Sequence, residues 1–99
     1  MAQVIWSSKA MRQIREIAGY IEKDSPLNAR RVIRRIITSV RRLKSFPEIG
    51  AVASEFREQG VRELLVFQYR VFYRFDETTH QVIVLAIAHG RQQLDDGLI

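Results

Sequence analysis

The sequence predicts an α+β fold: an N-terminal strand, a helical hairpin and then a three-stranded antiparallel meander, with the helices packed on one sheet face. Three observations predict it. Apolar residues recur at helical spacing through residues 11–43 and then switch to a period of two after residue 60. Lys23-Asp24-Ser25-Pro26 splits the helical stretch into two. The later apolar runs are joined by links of one to four residues, too short for anything but antiparallel neighbours.

Gln3-Val4-Ile5-Trp6 is a short apolar run closed by Ser7-Ser8, a strand followed by a helix N-cap, with Trp6 expected in the core. Met11, Ile14, Ile17/Ala18 and Ile21 then form the stripe of a first helix, with Arg12, Arg15, Glu16 and Glu22 between them. Gly19 weakens that helix by about 1 kcal/mol relative to alanine, too little to abolish it. Ser25 fits an N-cap, and Pro26 fits the first helical position, where its missing N–H costs nothing. The second helix carries Ala29, Val32/Ile33, Ile36/Ile37, Val40 and Leu43 on one side. Arg30, Arg31, Arg34, Arg35, Arg41, Arg42 and Lys44 take much of the rest, with no acidic residue from 26 to 45. A helix so one-sided in charge gains nothing from internal ion pairs and must be held by packing its stripe.

Phe46-Pro47-Glu48-Ile49-Gly50 ends that helix and opens a connection to Gly60. Val61–Phe67, Tyr69–Asp76 and Gln81–His89 read as three strands. The last is apolar on both faces and belongs inside the sheet. Alternation puts Tyr69, Val71, Tyr73 and Phe75 on one side of the middle strand, and Arg70, Phe72 and Arg74 on the other.

Composition bounds the function. At 99 residues the chain is expected to form one domain, residues 1–99. An apolar share of 46% is too high for a disordered chain. No apolar run approaches the ~18–20 residues of a membrane span, and the N-terminus lacks the order of a secretion signal. Cysteine is absent and the two histidines, His80 and His89, are far apart. Disulfide, thiolate, metal and cofactor chemistry are therefore not expected, and the compartment is expected to be cytoplasmic. The net charge is +5, but it divides unevenly: +8 over residues 1–45 and −3 over residues 46–99. Most of the cations are Arg, whose planar fork suits phosphate or carboxylate, so an anionic partner is implied. Charge alone leaves open whether that partner is nucleic acid or an acidic protein segment.

Two readings of the sheet cations follow. Arg70 and Arg74 either pair with carboxylates such as Glu63 or Asp76 and reach solvent, or join His89 and Arg91 in a cationic surface. In the second case His89 supplies an acid or base for RNA cleavage, with Glu63 a weaker second group. By itself this is a poor nuclease signature, because it offers one good titrating group.

With that element order, Phe46-Pro47-Glu48-Ile49-Gly50, Val61-Arg62-Glu63-Leu64, Tyr69-Arg70-Val71-Phe72-Tyr73 and His89-Gly90-Arg91 together resemble the RelE/ParE superfamily. Its members are small toxins of bacterial type II toxin–antitoxin modules, which stabilise plasmids by addiction. The resemblance implies two possible activities. RelE-like members are ribosome-dependent mRNA interferases, and ParE-like members inhibit DNA gyrase. Arg62, Arg70, His89 and Arg91 are the catalytic candidates if the chain is a nuclease. Against that, Val61–Phe67 holds a single cation where nucleases cluster several, and the tail Gln92–Ile99 has no Tyr, Lys or His and carries Asp95-Asp96. The ParE-like reading is preferred, with the nuclease second and a non-toxic binding protein of the same fold third. A cognate antitoxin is the implied partner, docking on Arg30, Arg31, Arg34, Arg35, Arg41, Arg42 and Lys44 and on the open sheet face. DNA gyrase, or the ribosome and mRNA, is the implied target. A homodimer or a toxin–antitoxin hetero-oligomer is the implied assembly.

Overall fold

The computed structural model describes residues 1–90, 92, 94 and 96–99, the last group without the Asp96 side chain. In chain order the elements are β1 (Gln3–Trp6), α1 (Ser8–Glu22), α2 (Pro26–Arg41), β2 (Ala51–Val52), β3 (Arg62–Val66), β4 (Tyr69–Asp76) and β5 (Gln81–His89). Short 3₁₀ turns follow α2 (Arg42–Lys44), precede β3 (Ser54–Gln59) and close the chain (Asp96–Leu98). The strands form one sheet in the order β1-β5-β4-β3-β2. β1, β4 and β5 occupy the spans expected from the sequence. β3 is shorter, because Phe67 takes a positive φ of 54° and turns the chain with Gln68 into β4. β2 was not anticipated; two residues are too few to show a period.

The sheet is antiparallel except where β1 lies parallel to β5, Gln3 opposite Gln81 and Trp6 opposite Val84. That places β5 between β1 and β4, in the interior position its double-sided apolarity requires. A bulge interrupts the β4–β5 pairing: Phe72 faces Ala86 while Tyr73 faces Val84, leaving Leu85 unmatched. The start of α1 meets the bulge. The Ser7 N–H donates to the Val84 carbonyl at 2.9 Å, and Ser7 Oγ donates to that of Leu85 at 3.0 Å. The same Oγ accepts from the Ala10 N–H and so caps the helix. Ser25 Oγ caps α2 by accepting from the Asn28 N–H.

One sheet face packs against the helical hairpin. Val66, Tyr69, Val71, Tyr73, Val82, Val84 and Ile87 meet Ala10 of α1, Val32, Ile36 and Val40 of α2, and Leu43 beyond it. Trp6, Ile14, Ile17 and Ile21 are half-buried against this core. Met11, expected in the α1 stripe, is exposed: Ala10 holds the buried position, and a side chain one residue on points about 100° away.

The second sheet face, expected to be open, is covered. Phe72, Ala86 and Ala88 lie beneath Phe56 of the Ser54–Gln59 turn and beneath Leu98, with Leu94 and Ile99 packed alongside. Phe56 meets Phe72 edge-on at 5.6 Å. Lys9 Nζ donates to the carbonyls of Gly97 and Leu98 at 2.9 Å each, tying the C-terminal turn to α1. Apolar residues on both faces of β4 and β5 demand two covers, and the hairpin supplies only one.

Candidate functional surfaces

Arg70 sits on the second face of β4 and is fully engaged. Its Nε donates to Glu63 Oε1 at 3.0 Å, and its Nη1 and Nη2 donate to Glu55 Oε2 and Oε1 at 2.8 and 2.9 Å. Nη2 also reaches Glu63 Oε2, and the guanidinium lies 4.9 Å over the Phe72 ring. The hydrogen bonds from Arg70 hold the Glu55 carboxyl at a pKa of about 2 against its usual 4.5. The bonds to Glu55 and then Glu63 raise the Arg70 pKa in turn. One cation between two carboxylates is a site of net negative charge, a poor receiver of phosphate. Arg74 on the same face donates through Nε to the Gln59 carbonyl at 2.9 Å.

Arg62 lies on the other, helix-facing side, opposite Tyr73 in the β3–β4 register. Its Nη1 donates to the carbonyls of Gly50 at 2.8 Å and Glu48 at 3.2 Å, and Nη2 is 3.6 Å from the Glu48 carboxylate. It therefore pins the Phe46–Gly50 loop to the sheet. The buried Tyr73 hydroxyl accepts from the Gly50 N–H at 2.9 Å, and burial raises its pKa.

His89 also faces the helices, opposite Tyr69 in the β4–β5 register, with their rings edge-to-face at 5.7 Å. It lines a shallow cleft with Gln13, Tyr20, Gln68 and Gln92. Burial raises the Tyr69 pKa above that of a free phenol. Arg62 and His89 stand at the levels of Tyr73 and Tyr69, four residues and about 13 Å apart along β4. Arg70 is on the opposite face from both. Arg91 lies outside the described residues, as do Asp95 and the side chain of Asp96.

The seven cations of the second helix and its 3₁₀ extension are all exposed, and among the described residues none forms an ion pair. Helical periodicity sorts the arginines into two rows. Arg30, Arg34 and Arg41 flank a groove of about 680 Å³ between α1 and α2, floored by Ala18, Ala29, Ile33 and Ile37 and bordered on the α1 side by Glu22. Arg31 and Arg35 lie about 100° further round the helix, over Phe67 of the β3–β4 turn. With Arg30, Arg34, Leu27 and Thr38 they line a second hollow of about 320 Å³. The Arg31 and Arg35 guanidiniums both lie 5.3 Å from the centroid of the Phe67 ring.

Sequence reasoning missed Glu55, Phe67 and the groove. Glu55 belongs to a connection without periodicity, and its partner lies fifteen residues away. Phe67 read as the end of a strand. The half-buried Ile33 and exposed Ile37, one step off the core stripe, were the available signal for the groove.

The sheet covered by a helical hairpin, the cation-rich second helix, the Phe46–Gly50 loop pinned by Arg62 and the Gly90 N–H bonded to the Gln68 carbonyl are the arrangement that the sequence resemblance to the RelE/ParE superfamily implies. The comparisons agree: residues 4–94 match the model of the ParE toxin of type II toxin–antitoxin system, parDE, and the chain belongs to that family. A putative toxin, Y4kP of Sinorhizobium fredii, is 36% identical over 93 residues, covering 92% of this chain and 91% of the relative. Toxin RelE2 of Caulobacter vibrioides is 36% identical over 84 residues, covering 83% and 91%. A chain of the chromosomal ParDE TA system from P. aeruginosa superposes with a TM-score of 0.73 at 20% identity, covering 90% of this chain and 96% of that one. No helix among the described residues is long and apolar enough to cross a membrane.

Proposed function

We propose that the protein is a ParE-like inhibitor of DNA gyrase that acts in the bacterial cytoplasm without chemistry of its own and is neutralised by a cognate antitoxin. The observation that carries this reading is the dispersal of the nuclease candidates. Cleavage of RNA needs a base, an acid and cations within reach of one phosphate. Arg62 is occupied by a loop, Arg70 by two carboxylates on the far face, and His89 stands about 13 Å along the strand from Arg62. An inhibitor that works by binding needs no such convergence.

Two assays on one preparation separate the readings. Gyrase supercoiling and trapped DNA cleavage are measured beside codon-dependent cutting of mRNA on translating ribosomes. Gyrase inhibition with intact mRNA is the expected result; cut mRNA with active gyrase overturns it. His89→Ala is expected to change gyrase inhibition less than tenfold, whereas a nuclease would lose about 10²–10⁴-fold in its chemical step.

The antitoxin segment fits the groove between α1 and α2, whose apolar floor and Arg30, Arg34 and Arg41 rim suit an amphipathic acidic helix. The wider set of Arg31, Arg35, Arg42 and Lys44 adds long-range attraction. Reversing Arg30, Arg34 and Arg41 to Glu is expected to weaken antitoxin binding by about 100-fold at low salt and less at high salt. Unchanged affinity at both salts would refute the docking mode while leaving the gyrase reading intact.

A further inference from the structure

Beside the groove, the neighbouring flank of α2 carries a cluster whose side chains do not line the groove itself. Arg31 and Arg35 are one turn apart, and both guanidiniums rest over Phe67, 5.3 Å from its centroid. No carboxylate among the described residues pairs with either. Two like charges gathered on one ring without a counter-ion repel each other, and an anion between them relieves that repulsion. The backbone that carries the ring is itself strained. Phe67 is 39% exposed and keeps a φ of 54°, a region that bulky residues avoid at a cost of order 1–3 kcal/mol. The turn thus presents an aromatic platform beneath the two arginines, where a glycine or asparagine would close the hairpin at lower cost.

We propose that Arg31, Arg35 and Phe67 form a binding site for the phosphate backbone of duplex DNA, a contact independent of which enzyme the protein inhibits. Four considerations select this partner. The Arg forks match phosphate oxygens and are held in place before binding. Arg42 continues the row along the flank, eleven residues and about 16 Å from Arg31, so several phosphates are met at once by a rigid element. A single-stranded ligand would need open aromatic faces on which to stack its bases, and Phe67 is already engaged by two guanidiniums. An acidic helix would need an apolar floor between the cations, which lies in the groove on the neighbouring flank.

The test measures binding of the full chain, free of antitoxin, to a fluorescent duplex of mixed sequence, with single-stranded RNA of equal length and polyglutamate as competitors. Duplex binding is expected to be sequence-independent, with log Kd rising linearly with log salt. Removing both forks in R31A/R35A is expected to lower that slope by about 2 and to weaken binding at least tenfold near 50 mM salt. R30A/R34A, which removes the same charge from the groove side, is expected to change it by less than half as much on a logarithmic scale. Phe67→Asn removes the platform but suits the positive φ. It is expected to weaken duplex binding while leaving the melting temperature unchanged or higher, which separates the site from the fold. Failure to bind duplex at low salt, equal losses in the two double variants, or displacement by polyglutamate or RNA more effective than by unlabelled duplex would each overturn the proposal. None of these outcomes bears on gyrase inhibition, which is read separately by supercoiling.

Discussion

Replacing Gly50 with alanine is expected to lower the unfolding free energy by about 3 kcal/mol, measured by denaturant unfolding. A Cβ there would stand 2.6 Å from the Glu63 carbonyl oxygen and 2.7 Å from both Cε1 and Oη of Tyr73. The first is backbone of a paired strand, and the others belong to a side chain buried beneath the sheet's helical cover. None can move aside without disturbing the core. Relief would also break two contacts that anchor the loop, the Gly50 N–H to Tyr73 Oη and Arg62 to the Gly50 carbonyl. Tyr73→Phe combined with Gly50→Ala is expected to recover little. It removes the hydroxyl but leaves the carbonyl clash and deprives the Gly50 N–H of its partner. A loss below about 1 kcal/mol in Gly50→Ala would mean that the loop is free to lift from β3.

That glycine shows what the sequence disclosed and what it withheld. Phe46-Pro47-Glu48-Ile49-Gly50 and Tyr69-Arg70-Val71-Phe72-Tyr73 were visible as segments that mark the family. That the last residue of each touches the other depends on the pairing of β3 with β4, which no local pattern reports. The same division runs through the fold. The helices and the three long strands follow from hydrophobic period and caps, both written locally. β2 and part of the cover over Phe72 come from a connection whose buried apolar residues, Ala53 and Phe56, pack on partners distant in sequence. The charge of α2 was legible as a total, but its division into a groove row and a turn row needed the positions of α1 and Phe67. Of the two readings of Arg70, pairing with Glu63 is the one the structure shows, while its second partner, Glu55, was out of view.

Arg70→Met is expected to lower stability by about 2 kcal/mol at neutral pH, because it leaves Glu55 and Glu63 close together without their shared cation. The figure sits below the 3–5 kcal/mol typical of a fully buried pair because the Glu55 side chain is 39% exposed and water screens part of the effect. The pH dependence gives a sharper readout. Glu55 has a folded pKa of about 2, depressed from 4.5, so its contribution is complete above pH 4.5 and is lost as pH falls toward 2. In Arg70→Met that fall is expected to vanish or reverse, since two adjacent carboxylates without a cation favour protonation of one of them. Adding Glu55→Gln and Glu63→Gln to Arg70→Met is expected to restore most of the lost stability by removing the repulsion. The same variants test the role of the residue. If Arg70 serves the fold, inhibition of the target per folded molecule changes less than tenfold in Arg70→Met. A phosphate-stabilising arginine would cost about 10²–10³-fold in turnover with the fold intact. A stable Arg70→Met protein with that loss and an unaltered acid titration would reinstate Arg70 as a catalytic residue and the nuclease reading with it.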